Sequence, residues 1–242
     1  MKNNKRTFGI EIELVHGNKY AMRDALQRAG IDCEVEGYNH TTRPHWKIVT
    51  DSSIRGGGYE VVSPILKGEE GLDEVRRVCE VLNEQGATVN RSCGLHVHHG
   101  AEDLKARHLQ NLLNLYRRSE GVIDSMMPVS RRENNNTYCR SLQHLNEGEH
   151  PGGRYYKLNL ESLHVHGTVE FRQHSGTTEA EKIINWVNIT QMMVERSKRK
   201  VGNSANLHKY DFMQAIGLIH NTTEYEDRIR EYMNMRVEVL SV

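Results

Sequence analysis

The chain has 242 residues, with 32 Lys+Arg balanced by 32 Asp+Glu and 37% hydrophobic residues. That neutrality excludes a general nucleic-acid binder, which carries a basic excess. No apolar run is long enough to span a bilayer, so neither nucleic acid nor membrane is an expected partner.

The opening residues, MKNNKRTFGIEIEL, lack the apolar core of a secretion signal because glutamates interrupt the first hydrophobic stretch. Residues 7–15 alternate apolar and acidic and predict a strand. Residues 19–29 predict a helix with Ala21, Leu26 and Ala29 on one face and Gly30 as its stop. Short strands follow at 31–36 and 45–50. The loop DSSIRGGG (51–58) leads into the strand YEVVSP, which Pro64 ends. Residues 69–85 predict an amphipathic helix through Leu72, Val75, Val78, Cys79 and Leu82, stopped by Gly86.

The strand LHVHH comes next, then a long helix to about residue 120, with Asp103 as its expected cap. Residues 129–153 have no periodicity and are rich in Asn, Pro and Gly; they predict a long functional loop or lid. KLNLESL (157–163) and GTVEFRQH (167–174) predict two tightly joined strands. Thr177 or Thr178 is the expected cap of a helix over 179–197, and one or two more helices follow from about 207. The pattern gives an α+β fold on a mainly antiparallel sheet, in one domain over 1–242 with a helical segment from 178. Cys33, Cys79, Cys93 and Cys139 lack paired spacing and read as reduced thiols of a cytoplasmic protein.

The informative feature is the polar face of four strands. Glu11 and Glu13 alternate with Ile10, Ile12 and Leu14. Glu60 opposes Tyr59 and Val61. His96 and His98 alternate with Leu95 and Val97, and Glu170, Arg172 and His174 with Val169, Phe171 and Gln173. Side chains at i and i+2 leave the backbone about 7 Å apart, close enough to converge on one ion or on neighbouring ions. Exposed strand faces usually carry Thr, Lys, Ser and Gln. Here the residues are almost all Glu, His and Arg, which points to a site rather than to a wet surface.

Carboxylates outnumber imidazoles, favouring a hard cation, Mg²⁺ or Mn²⁺. Such ions commonly serve nucleotide phosphates, and Arg172 is placed to neutralise a transferring phosphoryl group. No GxxxxGK[ST] or GxGxxG loop offers another phosphate cradle. A zinc hydrolase built on His96 and His98, a guanidino-kinase-like phosphotransferase and a metal-stabilised binding module are the alternatives. His99 is expected on the apolar side as a core histidine. His164 and His166 read as hairpin decoration, and His174 as lying beyond the metals.

FGIEIEL, then DSSI with YEVVSP, then CGLHVHHG, then RYYKLNL leading to GTVEFRQHSGT, in that order, resemble the amidoligase family. The resemblance covers about residues 7–177. It implies a glutamine synthetase-like catalytic fold, with a curved antiparallel sheet and helices on one face. It also implies an ATP-dependent ligase that joins an amino-acid or peptide carboxylate to an amine through an acyl phosphate. Carried onto this sequence, Glu11, Glu13, Glu60, His96 and Glu170 resemble the divalent-metal ligands, with His98 a ligand or a support behind one. Arg172 resembles the phosphate-contacting arginine. Asp51, Ser53, Arg154, Lys157 and Asn159 match positions that touch substrate or nucleotide. The acid, the amine and the oligomeric state are left open.

Overall fold

The computed structural model describes residues 6–146, 149–200, 205–219 and 223–241. In chain order the elements are β1 (Thr7–Leu14), α1 (Lys19–Arg28), β2 (Cys33–Glu36), β3 (Trp46–Asp51), β4 (Gly58–Val62), β5 (Leu66–Lys67), α2 (Gly68–Glu84) and β6 (Gly94–Gly100). Then follow α3 (Ala106–Ser125), a 3₁₀ turn (Val129–Arg131), β7 (Leu158–Asn159), α4 (Ser162–His166), β8 (Thr168–Ser175), α5 (Ala180–Ser197), α6 (Lys209–Ile216) and α7 (Glu224–Val239). Among the described residues no helix is long and apolar enough to cross a membrane.

The chain divides into two compact units: an amino unit, up to His98 together with His174–Trp186, and a carboxy unit of His99–Gln173 and the residues from Val187 onward. The amino unit carries the strand order β2-β3-β4-β1-β6, with β5 beside β1. β1 runs antiparallel to β4 and β5, and β3 antiparallel to β4, while β2 and β3 are parallel. The fold is thus α+β with a mostly antiparallel sheet, as expected.

Local chemistry explains these elements. On β1, Phe8, Ile10, Ile12 and Leu14 are buried on one side. Asn18 starts α1 by accepting hydrogen bonds from the backbone N–H groups of Tyr20 (2.9 Å) and Ala21 (3.2 Å) at its side-chain oxygen. α2 turns Leu72, Val75, Val78 and Leu82 inward. Its Glu74 accepts from the Trp46 indole at 2.6 Å, tying the helix to the apolar side of β3. Gly176 fits because its N–H reaches the Cys93 carbonyl at 2.8 Å; a Cβ there would sit 2.5 Å from that of Cys93.

Parallel β2 and β3 are joined by residues 37–45 alone, short for a crossover. The Lys47 ammonium, almost fully buried, holds that segment by donating to the Asn39 carbonyl (3.1 Å), the Asn39 side-chain oxygen (2.8 Å) and the Thr41 carbonyl (2.8 Å).

In the carboxy unit β7 pairs antiparallel with β8, Leu158 opposite Phe171 and Asn159 opposite Glu170. Here the structure corrects the expected hairpin. Only two residues of KLNLESL form strand, and the short helix α4 carries His164 and His166 before Gly167 turns the chain at φ 66°. α3 starts at Ala106, with His108 Nδ1 accepting from the Lys105 N–H at 3.2 Å, so Asp103 is not its cap. The helix also runs five residues past the expected end at 120, to Ser125. Thr177 does serve before α5, its hydroxyl accepting from the Glu179 N–H at 3.1 Å.

The expected lid is a packed segment over much of its length. Arg131, Cys139, Ser141, Leu142 and Leu145 are buried, and the Leu142 N–H donates to Glu120 at 2.9 Å.

Candidate active site

On the amino unit, Glu13 of β1 lies directly opposite Glu60 of β4. Like charges at facing positions of an antiparallel pair destabilise a sheet, so this pairing is relieved either by a proton on one carboxyl or by a cation beside both. One ligand atom each from Glu13, Glu60 and His96 lies within 4.8 Å of the others.

The imidazoles of β6 reach the carboxylates of β1. His96 Nδ1 is 2.9 Å from Glu11 Oε2 and its Nε2 3.5 Å from Glu13 Oε1; His98 Nε2 is 3.5 Å from Glu11 Oε1. The Gly94 N–H donates to Glu13 Oε2 at 2.5 Å, fixing that carboxylate from the backbone.

The electrostatics separate the two outer carboxylates. Burial first, then the neighbouring Glu11, Glu13 and Asp51, push Glu60 up to about 10. Burial would also raise Glu11, but hydrogen bonds from His96 and His98 outweigh it and hold Glu11 well below the usual carboxylate range. Crowding thus disfavours the ionised form of Glu60, and a divalent cation, for which carboxylates and imidazoles are suitable donors, would favour it.

Asp51 also belongs to this group. It helps to raise Glu60, while its oxygens accept from the Ser53 N–H (2.7 Å) and hydroxyl (2.9 Å). The amino unit therefore brings Glu11, Glu13, Asp51, Ser53, Glu60, His96 and His98 into one connected set. His174 is buried, donating to the Ser175 carbonyl at 2.7 Å with its ring 5.5 Å from that of Trp186.

The carboxy unit holds a second set. Glu170, 4% exposed, is gripped on both oxygens: the Asn159 amide donates to Oε2 at 2.5 Å and Arg172 Nη1 to Oε1 at 2.5 Å. Arg172 Nε also donates to the Tyr138 carbonyl at 3.3 Å. Arg154 is exposed, its guanidinium 5.0 Å from the centre of the Tyr155 ring.

Lys157 goes elsewhere. Expected to face nucleotide, it is fully buried, with its ammonium 2.7 Å from Glu120 and 2.6 Å from Asp124. A lysine so enclosed by two carboxylates is an internal ion-pair partner, not a phosphate contact. Sequence reasoning missed those partners. The available signal was their spacing: Tyr116, Glu120 and Asp124 recur every four residues on α3, on or beside a stripe otherwise filled by Leu112 and Ile123.

His99 is the core histidine expected, fully buried, 2.8 Å from the Thr190 hydroxyl and edge-on to Phe171 at 5.7 Å. All four cysteines are free and buried, and burial pushes the Cys33 and Cys79 thiols up to about 12, which makes them poor nucleophiles.

Comparison with known proteins follows the same lines. The family model described as "Putative amidoligase enzyme" matches residues 4–147 and 143–194. No curated protein matches. Among solved structures, Plasmodium falciparum glutamine synthetase aligns with a TM-score of 0.50 at 10% identity, over 99% of this chain and 73% of that one. A structure titled a novel glutamine synthase homolog gives 0.44 at 14% identity, over 98% and 67%. The ligase PafA in complex with the prokaryotic ubiquitin-like protein Pup gives 0.41 at 13% identity, over 97% and 57%. At these identities the likeness to glutamine synthetase is one of fold. With most of its length matched by the family model, the chain belongs to the amidoligase family of carboxylate–amine ligases.

Proposed function

We propose that the chain uses ATP to activate a carboxylate as an acyl phosphate, which an amine then attacks to give an amide or isopeptide bond. The observation that carries this reading is the facing pair Glu13 and Glu60 with His96 beside them, a cluster of donor atoms close enough together to hold a divalent cation. Glu11, Glu13, Glu60, His96 and Glu170 are the proposed holders of Mg²⁺ or Mn²⁺, with His98 supporting Glu11 or joining them. When bound, the ions would polarise phosphate oxygens.

The chain's own groups do the rest. Arg172 balances charge that develops on the transferring phosphoryl group. Arg154 and Asn159 orient the nucleotide. Asp51, braced by Ser53, takes the proton of the attacking amine. The acid and amine are amino-acid or peptide groups, and the reduced, buried cysteines suit a cytoplasmic setting.

The test incubates the full chain with ATP, Mg²⁺ or Mn²⁺, and pools of amino acids, polyamines and peptides. ADP and free phosphate should appear only when an acid and an amine are both present, and Glu170→Gln should lower turnover about a hundredfold. Full turnover in Glu170→Gln, or a phosphorylated product with no free phosphate, would overturn the reading.

A further inference from the structure

We infer that Asp124 and Gln173 are positioning residues that lock the Glu170–Arg172 strand in its working geometry; the inference rests on the ligase reading for what that geometry accomplishes. Gln173 follows Arg172 on β8, pointing to the opposite face, and is completely buried. Its amide donates to Asp124 Oδ1 and to the Arg131 carbonyl at 3.1 Å, while its oxygen accepts from the Tyr116 hydroxyl at 2.5 Å. Asp124 Oδ1 also receives Lys157, and Asp124 Oδ2 accepts the Glu133 N–H at 2.9 Å. A single carboxylate therefore holds the residue after Arg172, the lysine at the start of the neighbouring segment, and the loop beyond α3.

The backbone links that carboxylate to the site. The Arg172 N–H donates to the Lys157 carbonyl at 2.9 Å, and the Lys157 N–H donates to the Arg140 carbonyl at 3.0 Å. Arg172 is thus pinned on two sides through Asp124: across the strand pair by Lys157 and along the strand by Gln173. Next to it, Asn159 and Arg172 orient both oxygens of Glu170. Rotation of β8 about its axis would have to break the buried Gln173 bonds and shift the Lys157 ammonium from its carboxylates. None of Asp124, Gln173 or Lys157 is required to touch a reactant for this effect. Small misplacement of a charge-stabilising group costs one to two orders of magnitude in rate, which is what a clamp of this kind prevents.

The experiment compares Gln173→Met, of similar size, with Tyr116→Phe, which removes a bond to Gln173 but leaves Asp124 untouched. Gln173→Met should lower kcat about tenfold or more with KM for ATP within about twofold of wild type. In ¹⁵N NMR the Arg172 Nε–H should change from rigid to mobile. Tyr116→Phe should stay near wild type in both readouts. Wild-type kcat with a rigid Arg172 signal in Gln173→Met would overturn the clamp. Should Gln173→Met fail to fold, Asp124→Asn, which keeps the shape and removes the charge, is read by the same two criteria. If wild type consumes no ATP with any acid and amine, the ligase reading fails, and the Arg172 signal alone then decides the clamp.

Discussion

Two clusters of buried and half-buried carboxylates in this molecule are built on opposite terms. In the carboxy unit, Glu120 and Asp124 close on Lys157 at 2.7 and 2.6 Å. In the amino unit, Glu13 and Glu60 face each other across a strand pair with Glu11 and Asp51 alongside, and burial among them pushes Glu60 up to about 10. The first cluster supplies its own cation and is complete. The second is organised by imidazoles and backbone N–H groups, and crowding among its carboxylates keeps a proton on Glu60. Burial and acidic residues are common to both, so neither property marks a site. What separates them is whether the protein itself supplies the counter-charge.

The sharpest way to break this contrast is Lys157→Met. It leaves the buried Glu120 and the half-buried Asp124 without their ammonium, and removing one partner of a buried ion pair typically costs about 3–5 kcal/mol. Denaturant unfolding should show that loss, and the combined change with Glu120→Gln and Asp124→Asn should recover most of it. A single variant as stable as wild type would mean that the pair does not hold the fold.

In the amino unit the same kind of substitution should act in the other direction. Glu60→Gln removes a carboxyl that must take up a proton when the metal-free chain folds at neutral pH, so that chain should melt at a higher temperature than wild type. It should also lose the thermal shift that Mn²⁺ gives wild type, and turnover should fall about a hundredfold. A destabilised variant that keeps its Mn²⁺ response would place Glu60 with the structural carboxylates.

How far each cluster could be read in the sequence follows from its geometry. The amino-unit set lies on strands, where period-two alternation puts Glu11 with Glu13 and His96 with His98 on one face before any pairing is known. The facing of Glu13 and Glu60 required register, which alternation alone does not give. The carboxy-unit set joins α3 to a residue 37 positions away through a side chain that local pattern assigns to a polar surface. Lys157 was misplaced for that reason: a lone lysine next to a strand looks the same whether it meets phosphate or a buried carboxylate. The short β7 was likewise hidden, because LNLESL has strand-like alternation but its last residues bend into α4.

Lys47 gives a third arrangement and the smallest effect. Its ammonium is buried like that of Lys157, but the oxygens around it are neutral, two carbonyls and an amide. Desolvation, opposed by the more distant Glu36, Glu11 and Glu60, holds it below the ordinary lysine value of 10.5. Lys47→Met should therefore cost only about 1–2 kcal/mol, since the lost charge-assisted bonds are partly offset by relief of a buried charge. The sign with pH is distinctive. Between the lowered folded value and 10.5 the unfolded chain binds more protons at this residue, so wild-type stability gains on the variant as pH rises through that window. Unfolding curves of the two proteins in parallel from pH 7 to pH 10 measure the difference. A gap that stays flat or narrows with pH would mean that the neutral oxygens stabilise the ammonium at least as well as water does, and that dipoles alone can complete a buried charge here.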